Sequence, residues 1–309
     1  MMELPRTPAQ LIRYGLTITA LGGLLFTFDL PLLRLAQSDK WTLVFARGIF
    51  LFLSISAVWL FLRGRGKNVG PYIAGGAGIA VIATNTLANI SLIGATLETN
   101  AANVVFIIAL VPILTALFSK IFINEQVHRY TWGATILALF GVAIIVWDSL
   151  VLGRVYGDVL AFICASCTAA AFTIIRWSKK NVATSLALGS LVSACIAAIF
   201  FPINLPSLLQ TGGFGVAGFV WLGINGLLVI PLASTLIANG PRFLPSADVS
   251  MFFLLETVLA PVWIWLLFGE QPTRGVLVGG CIVITALLAH SVWRLTVTLQ
   301  ENPLTQSAK

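Results

Sequence analysis

The chain has 309 residues, of which 58% are hydrophobic and only 9% charged. A soluble domain carries about 25% charged and 45–50% apolar residues. There is too little polar material here to cover a water-exposed surface, which excludes an ordinary soluble enzyme and a disordered chain. The net charge of +7 does not signal a nucleic-acid partner, because the 18 basic residues are scattered along an apolar chain and form no patch. The solvent for most of this protein is lipid.

A bilayer core of roughly 30 Å needs about 20 apolar residues at 1.5 Å rise per residue. With charge clusters as boundaries, ten spans are predicted, at 13–34, 41–62, 71–93, 99–120, 130–148, 155–177, 182–203, 214–239, 246–268 and 274–294. Arg6 and Arg13 precede the first span. The apolar run from Tyr14 to Leu33 is longer than the h-region of a signal peptide and lacks a small-residue cleavage site, so it reads as a retained helix. The connections are short, and the expectation is an all-α integral membrane protein forming one membrane domain.

Lys and Arg in the loops report orientation. With the N-terminus inside, thirteen basic residues fall on the inner side and four (Arg34, Lys40, Arg154, Arg274) on the outer side, with Arg47 left within a span. Both termini are therefore expected in the cytoplasm. The basic excess then reports topology and contact with anionic lipid. The cysteines Cys164, Cys167, Cys195 and Cys281 all lie in apolar spans. Cys164-x-x-Cys167 imitates a redox or zinc motif, but it has no second pair and no nearby His, so packing is the expectation. His128 and His290 have no spacing partner for a metal, and no cofactor is expected.

The chain repeats itself. Glu125-Gln126-Val127-His128-Arg129 recurs as Glu270-Gln271-Pro272-Thr273-Arg274, a shift of 145. At the same shift Gly78 meets Gly223, Ala88 meets Ala233, Val104 meets Val249 and Leu114 meets Leu259. Near the start of each half the shift is 142, where Gly15 and Arg34 meet Gly157 and Arg176. The halves are 1–148 and 149–309, the second ending in a short tail. Five spans per half is odd, so the second half enters the membrane inverted. Inverted repeats of this kind are a signature of secondary transporters.

Three stretches carry a resemblance to a known family. Pro112 is followed by Glu125, Glu256 leads to Phe268-Gly269-Glu270, and Phe45-Ala46-Arg47 lies on span two. In these the chain resembles the drug/metabolite transporter superfamily, in its ten-helix form with two EamA-type repeats. Two positions depart from that pattern: Thr257 replaces the expected Pro, and Val111 stands where a Glu often precedes Pro112. The resemblance implies a carrier of small solutes and does not specify the solute.

Ionisable groups within spans are costly and face a partner or a wet cavity. Glu256 lies about ten residues into span nine, roughly 15 Å deep. It reads either as a proton-coupling carboxylate or partner for a substrate amine, or as a residue that holds helices together. Asp29 and Arg47 lie at matching depths, about 8–9 Å below the outer surface, on helices joined by a short hairpin. Either Arg47 attracts a substrate anion, or the two charges neutralise each other and pin the helices.

Asn85 and Asn89 share a face of span three, and Asn225 and Ser234 lie on span eight. These groups suit a polar substrate or interhelical hydrogen bonds. Asn103 and its repeat counterpart Asp248, one near each membrane face, are gate candidates. Trp263, two turns beyond Glu256 on the same face, stacks on a substrate or packs. Asp29-Leu30-Pro31, Pro112, Pro231 and Pro261 are expected to break or kink spans, and Gly22-Gly23 and Gly75-Gly76-x-Gly78 to admit close helix approach. Glu125/Arg129 and Glu270/Arg274 read as i,i+4 turn-fixing pairs.

The leading expectation is a secondary transporter moving a small metabolite by alternating access. Its partners would be the bilayer, a small-molecule substrate and protons as a coupling ion. On the family likeness, and on a lining of one base, two acids and several amides, the substrate would be an amino acid or related compound moved outward across a bacterial inner membrane. No Walker-A glycine loop is present, so gradients or exchange must supply the energy. The alternative is a channel-like, structural or receptor protein. An intramembrane enzyme is disfavoured because no paired Asp, Ser–His or His-Glu-x-x-His arrangement is present.

Overall fold

The computed structural model describes residues 8–147 and 155–300. Fourteen α-helices lie in that range: α1 (Pro8–Phe26), α2 (Asp29–Ala36), α3 (Lys40–Gly64), α4 (Gly76–Glu98), α5 (Ala101–Ile108), α6 (Val111–Ile123), α7 (Arg129–Val146), α8 (Val155–Ser178), α9 (Ala183–Phe200), α10 (Gly218–Gly223), α11 (Ile230–Asn239), α12 (Ser246–Met251), α13 (Leu254–Phe268) and α14 (Arg274–Gln300). They build ten helices long and apolar enough to cross a membrane, among them Gln10–Ala36, Ala101–Ile123, Gly218–Arg242 and Ser246–Phe268, each assembled from shorter pieces. The protein is an all-helical integral membrane protein of two repeats, as its composition and periodicity imply. The expected boundary at 148/149 lies outside the described residues.

Two span boundaries move for local reasons. The third span runs Gly76–Glu98, five residues later than 71–93. Gly70 and Gly75 take positive φ on either side of Pro71, which keeps the approach to α4 non-helical. The seventh span stops at Phe200 because Pro202 forces Phe201 into an extended conformation (φ −132°, ψ 148°).

The helix breaks are more informative. The first span is interrupted at Thr27-Phe28, so that Pro31 falls in the first turn of α2. The fourth is interrupted at Ala109-Leu110, just before Pro112 at the start of α6. Between α10 and α11 the chain forms a π-helix over Ile224–Val229, ending two residues before Pro231. These follow from proline's missing N–H and its clash with the preceding turn. Pro261 is a correction: it lies inside α13, and the ninth span breaks earlier, at Phe252-Phe253. This break is near the repeat equivalent of the one before Pro112. It survives although Thr257 replaces the proline, so packing of the surrounding helices maintains it.

Helices of one half pack mainly on helices of the other: α4 lies against α8 and α9, α3 against α9, α1 against α11, and α7 against α14. The pairing of spans one and eight is the repeat image of that of six and three. Small residues set the spacing. A Cβ on Gly48 would meet the Ser190 carbonyl oxygen at 2.5 Å and the Ala194 Cβ at 2.8 Å. Gly141 and Gly279 face each other's carbonyl oxygens across spans five and ten. In lipid, where burial of apolar surface gives no net drive, this close approach is what holds helices together. Gly48→Ala is therefore expected to force α3 and α9 apart and to cost about 1–3 kcal/mol. A lowered melting temperature in detergent checks this, and an unchanged one would show that the contact yields freely.

Candidate functional site

Asp29, Arg47 and Glu256, the charged residues expected deepest in the spans, lie on elements next to helix breaks or packed on them. Asp29 opens α2, directly after the Thr27-Phe28 break, and its carboxylate accepts an ion-paired hydrogen bond from Arg47 Nη2 of α3 at 2.8 Å. Asn225, fully buried in the π-helix, donates from Nδ2 to Asp29 Oδ1 at 2.8 Å and to the Asp29 carbonyl at 3.3 Å. The amide oxygen of Asn225 is buried with no hydrogen-bond partner among the described residues. A Cβ on the next residue, Gly226, would meet the Phe50 Cβ at 2.7 Å, so only glycine lets the π-helix sit this close to α3. Asp29 and Arg47 belong to the first half and Asn225 to the second, so the cluster straddles the repeat interface.

Glu256 lies in the first turn of α13, just after the ninth-span break. Its helix α13 packs against α2, which Asp29 opens. Among the described residues the Glu256 side chain makes no hydrogen bond or ion pair. It is half-buried. Two turns on, Trp263 donates from Nε1 to Thr27 Oγ1 at 2.8 Å and stacks on Phe28 with ring centroids 4.5 Å apart. Trp263 thus braces the break that orients Asp29.

The remaining lining candidates divide. Asn85 donates to the Leu186 carbonyl at 3.0 Å and to Ser190 Oγ at 3.1 Å, joining α4 to α9. Ser234 bonds back to the Ile230 carbonyl of its own helix. Asn89 is half-buried, and its side chain has no hydrogen-bond partner among the described residues.

We call the membrane side at which α1 begins and α14 ends the terminal face and the opposite side the far face. Near the far face, Asn103 donates to Asp158 Oδ1 at 3.0 Å, and Thr99 Oγ1 donates to the same oxygen at 2.8 Å. Near the terminal face, Asp248 is buried against Thr131 Oγ1 at 3.1 Å, His290 Nε2 at 3.2 Å and Arg294 Nε at 3.0 Å. His290, which has no metal partner in sequence, thus acquires a carboxylate in space.

The expected i,i+4 pairs are not formed. Glu125 accepts from Arg176 Nε at 2.7 Å, and Glu270 is paired bidentately with Arg34. The reason is local: Asn124 and Gly269 take left-handed caps (φ 52° and 73°), and α7 and α14 begin only at Arg129 and Arg274. Each glutamate lies in a turn, where an i+4 residue is no longer on the same face. The hydrogen bond from Arg34 holds the Glu270 carboxyl below its ordinary value. Sequence reasoning missed both long-range pairs. The signal was present, since Arg34 repeats as Arg176 and Glu125 as Glu270, and each arginine ends on the same membrane face as the other half's glutamate.

The sequence profile of the EamA-like transporter family matches residues 13–147 and 155–292, one copy per half. A solved crystal structure of a protein matches with a TM-score of 0.73 at 14% identity, over 88% of this chain and 95% of the other, a likeness that shows the fold. No curated protein sequence matches the chain. Two tandem repeats covering nearly all of ten membrane-spanning helices place it: the chain belongs to the EamA-like transporter family, and is a membrane transporter of the drug/metabolite type.

Proposed function

We propose that the protein is a secondary transporter that exports a small amine-bearing metabolite, an amino acid or a related compound, across the cytoplasmic membrane by alternating access, with protons as the coupling ion. The observation that carries this reading is a charge count within the spans. Asp29 and Arg47 cancel at 2.8 Å, and Glu256 is left as the one carboxylate of the cluster without a bonded partner. A carboxylate within a span and without a bonded partner takes a cation, and the two candidates are a proton and an ammonium group. Competition of both for one carboxylate couples their movements without further machinery.

A zwitterion also needs anchors for its other groups. Among the described residues, the unbonded amide of Asn89 can donate to its carboxylate, and the orphan amide oxygen of Asn225 can accept from its ammonium. Because Asp29 and Arg47 lie in one half and Asn225 and Glu256 in the other, rocking of the halves changes the site's geometry as it changes the site's exposure. The proposed orientation, both termini in the cytoplasm, rests on the thirteen-to-four division of Lys and Arg. Export rests on the family likeness.

The test is counterflow in proteoliposomes. Vesicles loaded with an unlabelled amino compound are expected to accumulate labelled compound transiently and saturably, with proton movement in the opposite sense. Linear, unsaturable flux would mark a channel and overturn the reading.

A further inference from the structure

The two long-range ion pairs are images of each other. Arg34 and Arg176 are related by the shift of 142, and Glu270 and Glu125 by the shift of 145. Arg34–Glu270 joins the first half's arginine to the second half's glutamate at the far face. Arg176–Glu125 joins the second half's arginine to the first half's glutamate at the terminal face. Each pair therefore crosses the interface between halves, and both are formed at once. Rigid halves that rock about a central site must part at one face while staying together at the other. Only one of the two pairs has to break for either opening.

We propose that these four residues are positioning residues for the transport cycle, latching the two faces, and that the far-face latch opens the more readily. The asymmetry is physical. The far-face pair is exposed, with side chains 42% and 55% accessible, and among the described residues it has, besides the salt bridge, only the stacking of Arg34 over Phe268 at 4.7 Å. The terminal-face pair is 24% and 15% accessible and sits in a network. Ser246 Oγ donates to Glu125 Oε2 at 3.2 Å and shares a 2.6 Å hydrogen bond with Ser119, and Arg176 Nη1 donates to the Pro241 carbonyl at 3.1 Å. Solvent screens an exposed pair and leaves it worth little, whereas a part-buried pair with additional bonds is worth more. The resting protein accordingly favours opening toward the far face.

This inference rests on the alternating-access reading, but its test needs no substrate and so succeeds or fails separately from counterflow. A Glu256→Cys reporter is placed in full-length protein whose four native cysteines are replaced by serine. Its labelling rate by a membrane-impermeant charged thiol reagent is measured from each side of the membrane. Faster labelling from the far face is expected in the parent. Glu270→Gln should raise far-side labelling about threefold and lower terminal-side labelling; Glu125→Gln should do the reverse, by about tenfold. The exchanged pair Arg34→Glu with Glu270→Arg should return the parent ratio. If Glu125→Gln does not fold, Ser246→Ala, which removes one hydrogen bond from the latch, should raise terminal-side labelling about twofold. Equal changes from both sides, no change in folded variants, or failure of the exchanged pair to restore the ratio would overturn the proposal.

Discussion

Glu256→Gln is expected to reduce transport at least tenfold and to abolish its dependence on pH, while the protein elutes and melts like the parent. Glutamine keeps the size and the hydrogen-bonding capacity of the side chain and removes only its ability to exchange a proton or pair with an ammonium. Among the described residues the side chain has no bonded partner to lose, so the fold should not register the change. A purely structural carboxylate would behave oppositely, with transport retained and stability altered. Counterflow measured across a pH series, alongside thermal melting, separates the two. Transport that stays normal and pH-dependent in the variant would remove Glu256 from the mechanism.

The second large effect is expected at Asp29 and Arg47. Asp29→Asn and Arg47→Gln should each destabilise the protein by about 2 kcal/mol, between the values for exposed and fully buried pairs. The cost arises because each substitution leaves a charge in the membrane interior without its partner. Arg47 carries the larger penalty for being left alone, since Asp29 retains its hydrogen bond from Asn225 at 2.8 Å. The double variant should be more stable than the sum of the singles predicts, because it leaves no uncompensated charge. A double-mutant cycle by thermal unfolding in detergent measures the coupling, and simple additivity would show that the pair is not an energetic unit.

Much of this was legible from residue order. Apolar runs of about 20 residues between charged turns have one stable solution in lipid, a helix that satisfies its own backbone. The ten spans therefore appear where composition places them. The match in depth of Asp29 and Arg47 was legible too, because a short hairpin makes neighbouring helices share a level. Gly22 was readable as a close-approach position, and a Cβ there would indeed meet Ile237 Cγ1 at 2.7 Å.

What was not legible depends on contacts between residues far apart in the chain. Helical spacing paired Glu125 with Arg129 and Glu270 with Arg274, but left-handed caps at Asn124 and Gly269 turned those glutamates toward the opposite repeat. Pro261 looked like a helix break and is not one, whereas Phe252-Phe253 breaks without a proline. Asn225 read as one lining amide among several. Its role as donor to Asp29 depends on a π-helix that no local pattern except the nearby Pro231 announces.

The division has a physical basis. Span number, the repeat and the scarcity of charge in the membrane follow from hydrophobic length and from the cost of burying charge, which are sums over local composition. Those the chain determines by itself. Which charge meets which, where a helix yields, and which carboxylate is left without a partner depend on directional contacts between the two halves, made at 2.7–3.2 Å. Only the tertiary structure decides those: among the described residues it pairs Asp29 with Arg47 and Asn225 and leaves Glu256 without a bonded partner.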